Sequence, residues 1–262
     1  MPRPISNALA DSPSARSADP LIEGAGTTES EWRSWGVLDA LPTLDLAGCA
    51  SMLVVAPHPD DEVLGVGGIS AILEARGCGH RVLALSDGEA SHPRSPIDSK
   101  ALGARRVAET IAALELMVDT DARIDYLRIP DGVLRHHEGQ IEFEIAARLE
   151  HNSWCFAPFR GDGHPDHEAA GRAAQRACAS VGARLVEYPI WMWHWASPAD
   201  ERVPWPRARS VDLPWAIRMR KHDAIRTFRS QIETLLGDPS GEVILPPEIL
   251  ARFLRSFEVV FV

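Results

Sequence analysis

Short apolar runs alternate with longer amphipathic stretches along most of the chain. The apolar runs predict five β-strands: Met52–Ala56, Arg81–Ser86, Ile124–Ile129, Trp154–Phe159 and Leu185–Tyr188. The longer stretches predict five α-helices: Asp61–Ala75, Lys100–Met117, Ile141–Glu150, Asp166–Val181 and Pro214–Leu235. Because these strands are apolar on both sides, we expect helices to cover both faces of the sheet.

The regular alternation of strand and helix predicts an α/β fold. We expect a single Rossmann-like domain with a doubly wound, mostly parallel sheet. Right-handed crossovers would then place the carboxyl ends of the strands at one edge, where such folds keep their ligand sites.

The pattern changes at the N-terminus and in one later segment. Residues 1–29 are rich in small and polar residues without periodicity, which predicts a flexible arm before a domain over residues 30–262. Thr28 and Glu31 have the spacing of a capping box, which predicts a short helix there. The Trp- and Pro-rich segment from Trp191 to Pro214 predicts an irregular excursion.

Polar residues that are costly to bury follow the first predicted strand, in the sequence Pro-His-Pro-Asp-Asp-Glu from Pro57 to Glu62. The two prolines stiffen the loop. His58 and Asp61 have a spacing that lets an imidazole nitrogen and a carboxylate oxygen reach one metal ion. Asp60 then stays unbound, as a base beside the metal. Acids at a helix N-terminus can also simply complement the helix dipole, but that alternative does not explain a histidine between two prolines.

A second cluster follows the fourth predicted strand and opens a helix in the sequence His-Pro-Asp-His, from His164 to His167. His167 would complete a His-Asp-His triad with His58 and Asp61. Three protein ligands and one open position are typical of a catalytic zinc site. His164 remains free to hydrogen-bond near the metal, and Asp166 is a candidate to orient a ring nitrogen.

Composition narrows the partners and the compartment. The chain has 262 residues, of which 45% are hydrophobic, and a formal net charge of -10. An acidic balance disfavours nucleic acid as a partner, since phosphate binding needs a basic face. Neither a membrane span nor a secretory signal is visible, so the expected location is the cytoplasm. The four cysteines form no CxxC pair, and we expect buried free thiols rather than a disulfide framework.

With both motifs in view, the sequence resembles the LmbE-like, or PIG-L, zinc-dependent de-N-acetylases, which deacetylate N-acetylglucosamine units. Weaker resemblance extends through "LSDGEAS", "RVAE", "IPDG" and "KHDAIRTFRSQI", so that it covers roughly residues 52–236. The resemblance implies that His58, Asp61 and His167 bind one Zn²⁺ per chain, with other divalent metals as alternatives. It implies that Asp60 is the general base and that His164 stabilises the oxyanion or protonates the leaving amine.

The resemblance also implies a substrate. Arg94 and Asp131 fall near positions that contact sugar hydroxyls in the family, with a surface cation and a turn residue as the alternative interpretations. The implied activity is hydrolysis of an N-acetyl group on an amino sugar or glycoconjugate by a zinc-activated water. Two alternatives stay open: a zinc amidase acting on a non-sugar amide such as a thiol conjugate, and a non-catalytic protein that binds metal and sugar. A homo-oligomer is also compatible with the sequence.

Overall fold

A computed structural model describes residues 21–22, 24–118, 123–235, 241 and 243–262. The strands within these ranges are β1 (Ser51–Ala56), β2 (Gly79–Ala84), β3 (Arg123–Tyr126), β4 (Trp154–Pro158), β5 (Arg184–Tyr188), β6 (Ala208–Asp212) and β7 (Phe257–Phe261). The helices are α1 (Glu29–Ser34), α2 (Asp61–Glu74), α3 (Ser99–Met117), α4 (Glu138–Ala146), α5 (Pro165–Val181), α6 (Met192–Trp195), α7 (Trp215–Ile225), α8 (Arg229–Ile232) and α9 (Pro247–Leu250). Short 3₁₀ turns lie at Leu38–Ala40, Leu134–His136, Trp205–Arg207 and Ala251–Phe253.

The seven strands form one sheet in the order β3-β2-β1-β4-β5-β7-β6. The first five are parallel to one another, whereas β7 pairs antiparallel with both β5 and β6. The predicted α/β fold with a mostly parallel sheet is therefore confirmed. The topology reverses between β1 and β4, and ligands of doubly wound sheets bind at such a switch point.

Side chains of β1 alternate between two buried cores. Leu53 and Val55 pack with residues of α4 and α5, whereas Val54 and Ala56 pack with residues of α2 and α3. Period-two alternation between two apolar faces explains why the strand reads as a continuous hydrophobic run. The expectation of helices on both faces is confirmed.

Three expectations about elements need correction. The predicted helix over Pro214–Leu235 is two helices, α7 and α8, separated by Arg226–Phe228. Strands β6 and β7 are additional to the five that the pattern predicted, and β6 lies inside the segment expected to be irregular. The same segment contains α6, so it is partly regular.

The short N-terminal helix is confirmed, because the Thr28 side chain and Glu31 form the reciprocal capping box. Most of the predicted arm, residues 1–20 and residue 23, lies outside the described residues. Thr27, just before the helix, donates from its backbone to the His194 carbonyl at 2.8 Å and from its hydroxyl to the Ala196 carbonyl at 2.6 Å. This part of the arm thus contacts α6.

Candidate metal centre and active site

Three donor atoms converge at the switch point: one from the loop between β1 and α2, one from the first residue of α2 and one from the first turn of α5. The Nδ1 atom of His58 lies 3.2 Å from Nε2 of His167 and 3.3 Å from Oδ2 of Asp61. The His167 Nε2 atom lies 3.2 Å from the same carboxylate oxygen. The edges of a tetrahedral zinc site with bonds of 2.0–2.1 Å are about 3.4 Å long, so the three donors fit three corners of such a site.

Carboxylates behind both imidazoles fix which nitrogen faces the centre. His167 Nδ1 lies 2.7 Å from Oδ2 of Asp162. His58 Nε2 lies 3.2 Å from Asp131 and 3.4 Å from Asp166. A proton on each outer nitrogen leaves the inner nitrogens with lone pairs that face each other. Histidine ligands of metals are typically backed by carboxylates in this way.

The charge of this region also suits a dication. Asp61, Asp131, Asp162 and Asp166 are all at most 7% exposed, and all lie against the two imidazoles. Burial alone would lower the pKa of His167, but Asp61 and Asp162 raise it to about 9. The site therefore carries an excess of buried negative charge, which a bound metal ion would neutralise.

Asp60 precedes the donor Asp61 in the chain, and its carboxylate bonds to a residue outside the donor cluster. Its backbone has φ = 117°, a conformation that residues with a Cβ rarely adopt. Its Oδ2 accepts a hydrogen bond of 3.1 Å from Arg106 of α3, a side chain that also binds the carbonyls of Pro59 and Gly88. Burial raises the pKa of Asp60 to about 7, although Arg106 opposes the shift. A carboxyl group with that pKa can accept a proton near neutrality.

His164 is the N-cap of α5, and its ring centroid lies 4.9 Å from that of His58 and 4.7 Å from that of His167. Its Nδ1 accepts the backbone N–H of Asp166 at 3.2 Å. Burial lowers the pKa of His164, and the neighbouring His167 lowers it further. The neutral ring must then carry its proton on Nε2, which makes that nitrogen a hydrogen-bond donor.

The remaining predicted residues occupy different environments. Asp131 is 7% exposed and contacts His58 through one oxygen, while its other oxygen accepts the Ala90 N–H. Asp166 contacts the same imidazole and accepts the N–H groups of Gly132 and Leu134. Arg94 is exposed on the loop between β2 and α3. The roles predicted for these residues stay predictions.

Two buried residues near the centre escaped the sequence reasoning. Asp162 is fully buried and binds His167 and the backbone N–H groups that lead into α6. Arg106 bonds to Asp60 from α3, a helix that follows the second strand rather than the first. The only sequence signals were the position of Asp162 before the His-Pro-Asp-His motif and the place of Arg106 in "RVAE".

The Trp-rich segment reaches the loop that carries His164. The indole N–H of Trp195 donates to the Asp162 carbonyl at 2.8 Å. A Cβ at Gly163 would lie 2.7 Å from the Trp195 ring, so only glycine fits beneath it. Trp193 is 3% exposed and packs in the core, whereas Trp191 and Trp195 are partly exposed. The segment is helical here, so the three tryptophans do not share a face as they would on a strand.

Comparison with known families adds an independent finding. Residues 53–178, which include both motifs, match the family described as PIG-L: GlcNAc-PI de-N-acetylase. This part of the chain is therefore similar to the PIG-L family. The matched segment runs from β1 into α5 and so contains every donor atom of the cluster.

Curated proteins similar to this chain include a 1D-myo-inositol 2-acetamido-2-deoxy-alpha-D-glucopyranoside deacetylase from Kineococcus radiotolerans. It is 26% identical over 235 residues, which cover 74% of this chain and 61% of that protein. A counterpart of the same name from Corynebacterium glutamicum is 29% identical over 170 residues, or 56% of this chain and 57% of that protein. The chain thus spans about three fifths of the length of these curated relatives.

Solved structures share the fold. The conserved protein TT1542 from Thermus thermophilus is 27% identical with a TM-score of 0.51, covering 77% of this chain and 84% of its own. The zinc-inhibited form of teicoplanin deacetylase Orf2 is 19% identical with a TM-score of 0.59, covering 80% and 97%. The hydratase GalB from Pseudomonas putida KT2440 is 21% identical with a TM-score of 0.55, covering 78% and 82%. Since a hydratase shares the fold, the reaction must be argued from the site.

Proposed function

We propose that this chain is a metal-dependent hydrolase that removes an N-acetyl group from an amino sugar. One observation carries the proposal. Three donor atoms 3.2–3.3 Å apart converge at the switch point, with an acid and an imidazole directly beside them that take no part in the triangle. Metal binding needs only the three donor atoms. The acid and the imidazole, Asp60 and His164, are the additional groups that hydrolysis of an amide needs.

His58, Asp61 and His167 are the residues that would hold the metal. Two imidazole nitrogens and one carboxylate oxygen suit zinc and related first-row divalent ions. When bound, such an ion supplies Lewis acidity, which polarises an amide carbonyl and makes water more acidic. Zinc is the ion that we propose, one per chain.

Asp60 supplies the base. Its pKa of about 7 matches the task of taking a proton from the attacking water near neutral pH. Arg106 holds the second carboxylate oxygen, so the group cannot swing into the triangle and become a fourth ligand. Asp60 can then return that proton to the leaving amine nitrogen, which completes the breaking of the C–N bond and yields acetate and a free amine.

His164 supplies an electrophilic hydrogen bond. Because its Nδ1 accepts a backbone N–H, its Nε2–H is available to the oxyanion that develops on the carbonyl oxygen. A preorganised donor of this kind stabilises charge that forms in the transition state rather than in the substrate. A neutral imidazole serves this purpose, which agrees with the low pKa of His164.

An amino sugar is the substrate class favoured by the relatives. The family description names a GlcNAc-PI de-N-acetylase, and the curated relatives are named as deacetylases of an inositol-linked acetamido sugar. We extend the N-acetyl amino sugar from those proteins to this chain. The aglycone is left to experiment, because the chain spans only part of the length of those relatives.

The test is acetate release from a panel of N-acetylated substrates by the zinc-loaded protein. The panel pairs N-acetylglucosamine glycosides bearing different aglycones with N-acetylated amino acids and thiol conjugates. We expect acetate from at least one sugar, loss of turnover after chelation and recovery with zinc. Turnover of the non-sugar amides alone would contradict the sugar assignment, and stoichiometric sugar binding without acetate would contradict the hydrolase.

A further inference from the structure

Two cysteines lie side by side just before β1 and β2, at the opposite end of these strands from the candidate active site. Cys49 lies two residues before β1, and Cys78 lies one residue before β2. Their sulfur atoms are 3.4 Å apart. The two thiols therefore face each other directly.

The backbone around the two thiols is also suited to a covalent bond. Strands β1 and β2 are parallel neighbours with Ser51 opposite Gly79, and the Gly79 N–H donates to the Ala50 carbonyl at 3.0 Å. Extending this register by one residue places Cys78 opposite Ala50, the neighbour of Cys49 in the chain. Bond formation therefore needs only a small approach of the two sulfur atoms.

Access to the pair is unequal. Cys49 is partly exposed, whereas Cys78 is 6% exposed. A cleft of about 560 Å³ opens beside the residues that precede Cys49 and is lined in part by Ala47, Gly48 and Arg184. Because Cys49 is partly exposed, a small oxidant can reach this residue, whereas Cys78 is covered.

We propose that Cys49 and Cys78 are an oxidation site that closes to a reversible disulfide when hydrogen peroxide reaches Cys49. The Cys49 thiol takes an oxygen atom from the peroxide, which leaves as water, and becomes a sulfenic acid. The Cys78 sulfur then attacks the Cys49 sulfur, the S–O bond breaks, and the sulfenic oxygen leaves as a second water. A small dithiol or glutathione restores both thiols.

The disulfide would link the two ends of the segment that carries the first motif of the candidate active site. The segment from Cys49 to Cys78 contains β1, the loop with His58, Asp60 and Asp61, and all of α2. Closing it would restrict the unfolded chain and so stabilise the native fold. Burial raises the pKa of the Cys49 thiol, with Cys78 adding to the shift, so we expect slow closure at neutral pH.

A second pair of cysteines serves as an internal control for the first. Cys155 on β4 and Cys178 on α5 form a second thiol pair, and these residues are 0% and 3% exposed. Because neither thiol of that pair is open to solvent, we expect both to stay reduced under conditions that oxidise the first pair.

The experiment treats the full chain with hydrogen peroxide, alkylates free thiols after denaturation and maps the peptides by mass spectrometry. We expect a loss of about 2 Da for the two hydrogens, a single cross-link between Cys49 and Cys78, and alkylation of Cys155 and Cys178. The melting temperature of the oxidised protein should rise by about 5–10 °C and return with dithiothreitol.

Two variants make the result decisive. Cys49→Ser should abolish both the cross-link and the rise, whereas Cys155→Ala should keep both. A cross-link at Cys155–Cys178, a cross-link between two chains, or an unchanged melting temperature in the cross-linked protein would each overturn the proposal. None of these measurements needs turnover, so they are independent of the proposed hydrolase.

Discussion

Two adjacent acids, Asp60 and Asp61, occupy opposite sides of the same loop. The left-handed backbone of Asp60 sends its carboxylate toward Arg106, while the carboxylate of Asp61 faces both imidazoles. Strained conformations of this kind persist where surrounding contacts hold them, and they concentrate at functional sites. Under the proposed function, Asp60 transfers the proton and Asp61 binds the metal.

We predict that Asp60→Asn keeps the fold and the metal but lowers kcat by about 10²–10⁴, the usual contribution of a general base. Asparagine has nearly the same shape and still accepts from Arg106, but it cannot take a proton. The check is steady-state acetate release with metal content measured on the same samples. Asp61→Asn is the matched control, which should lose metal affinity first; exchanged phenotypes would reverse the two assignments.

Asp162 should act through His167, since its Oδ2 fixes the proton on the outer ring nitrogen. We predict that Asp162→Asn weakens metal binding about 10–100-fold, the typical effect of losing a carboxylate behind a histidine ligand. Competition with a chelator measures the affinity without any substrate. Asp45→Asn, an exposed residue in a local turn, is the control and should bind metal like the wild type. Equal affinities in all three proteins would contradict the role of Asp162.

The donor triangle was predictable from the sequence because its residues lie in short, proline-stiffened motifs directly after apolar strands. Asp162 and Arg106 were not predictable in the same way. An Asp in a Gly-rich loop and an Arg on a helix are common, and their significance depends on contacts that only the folded chain creates. The same applies to Asp131, whose position against His58 no local pattern indicates.

Helix α2 contains a break that other elements repair. Val66 has non-helical angles of φ = -140° and ψ = 20°. The N–H groups of Gly68 and Ile69 donate to the two carboxylate oxygens of Glu258 on β7, and Lys221 donates to the Leu64 carbonyl and to Glu258. This buried ion pair satisfies backbone groups that the break leaves without helical partners. The ion pair thereby fixes α2, the helix that follows the loop carrying His58.

We predict that Lys221→Met lowers the free energy of unfolding by about 3–5 kcal/mol, because it leaves the Glu258 charge buried and unpaired. Urea denaturation monitored by circular dichroism gives the value. Arg229→Met is the control. It removes the cation of the exposed ion pair between Arg229 and Glu233, four residues apart, and should change stability little. Similar values for the two variants would mean that the buried pair does not stabilise α2.

Helix α6 places Trp195 against Gly163, next to His164. We predict that Trp195→Ala raises KM about 2–10-fold with unchanged metal content, because an aromatic face beside the site should contact the substrate. The control is Trp215→Ala, since Trp215 is 74% exposed on α7. A variant of Trp195 that loses thermal stability but keeps its kinetics would return this tryptophan to a packing role.

Elements in the βα-alternating part of the chain were predicted to within a few residues, because each apolar run is followed by a helix of matching period. β6 and β7 were missed. β6 lies inside the Trp- and Pro-rich segment, and β7 has no following helix. Their pairing joins residues such as Arg209 and Val260 that are distant in sequence. The break between α7 and α8 was missed because no Pro or Gly marks it.

The order of the strands in the sheet brings together two motifs that lie far apart in the sequence. β1 and β4 are about 100 residues apart in sequence but adjacent in the sheet. Their carboxyl ends therefore bring both motifs to the switch point. Asp162 links this centre to α6, and Thr27 and the fully buried Trp32 bind α6 from the N-terminal side. None of the described helices is both long and apolar enough to cross a membrane.

We propose that His58, Asp61 and His167 form one metal centre. Its most direct test is the metal content of wild-type protein and His167→Ala, measured by inductively coupled plasma mass spectrometry after matched loading and desalting. Circular dichroism on the same samples verifies that the variant is folded. We expect about one zinc-class ion per wild-type chain and loss of most of that metal in the variant, since two remaining ligands bind weakly. Full occupancy in folded His167→Ala would rule out a centre shared by these three residues.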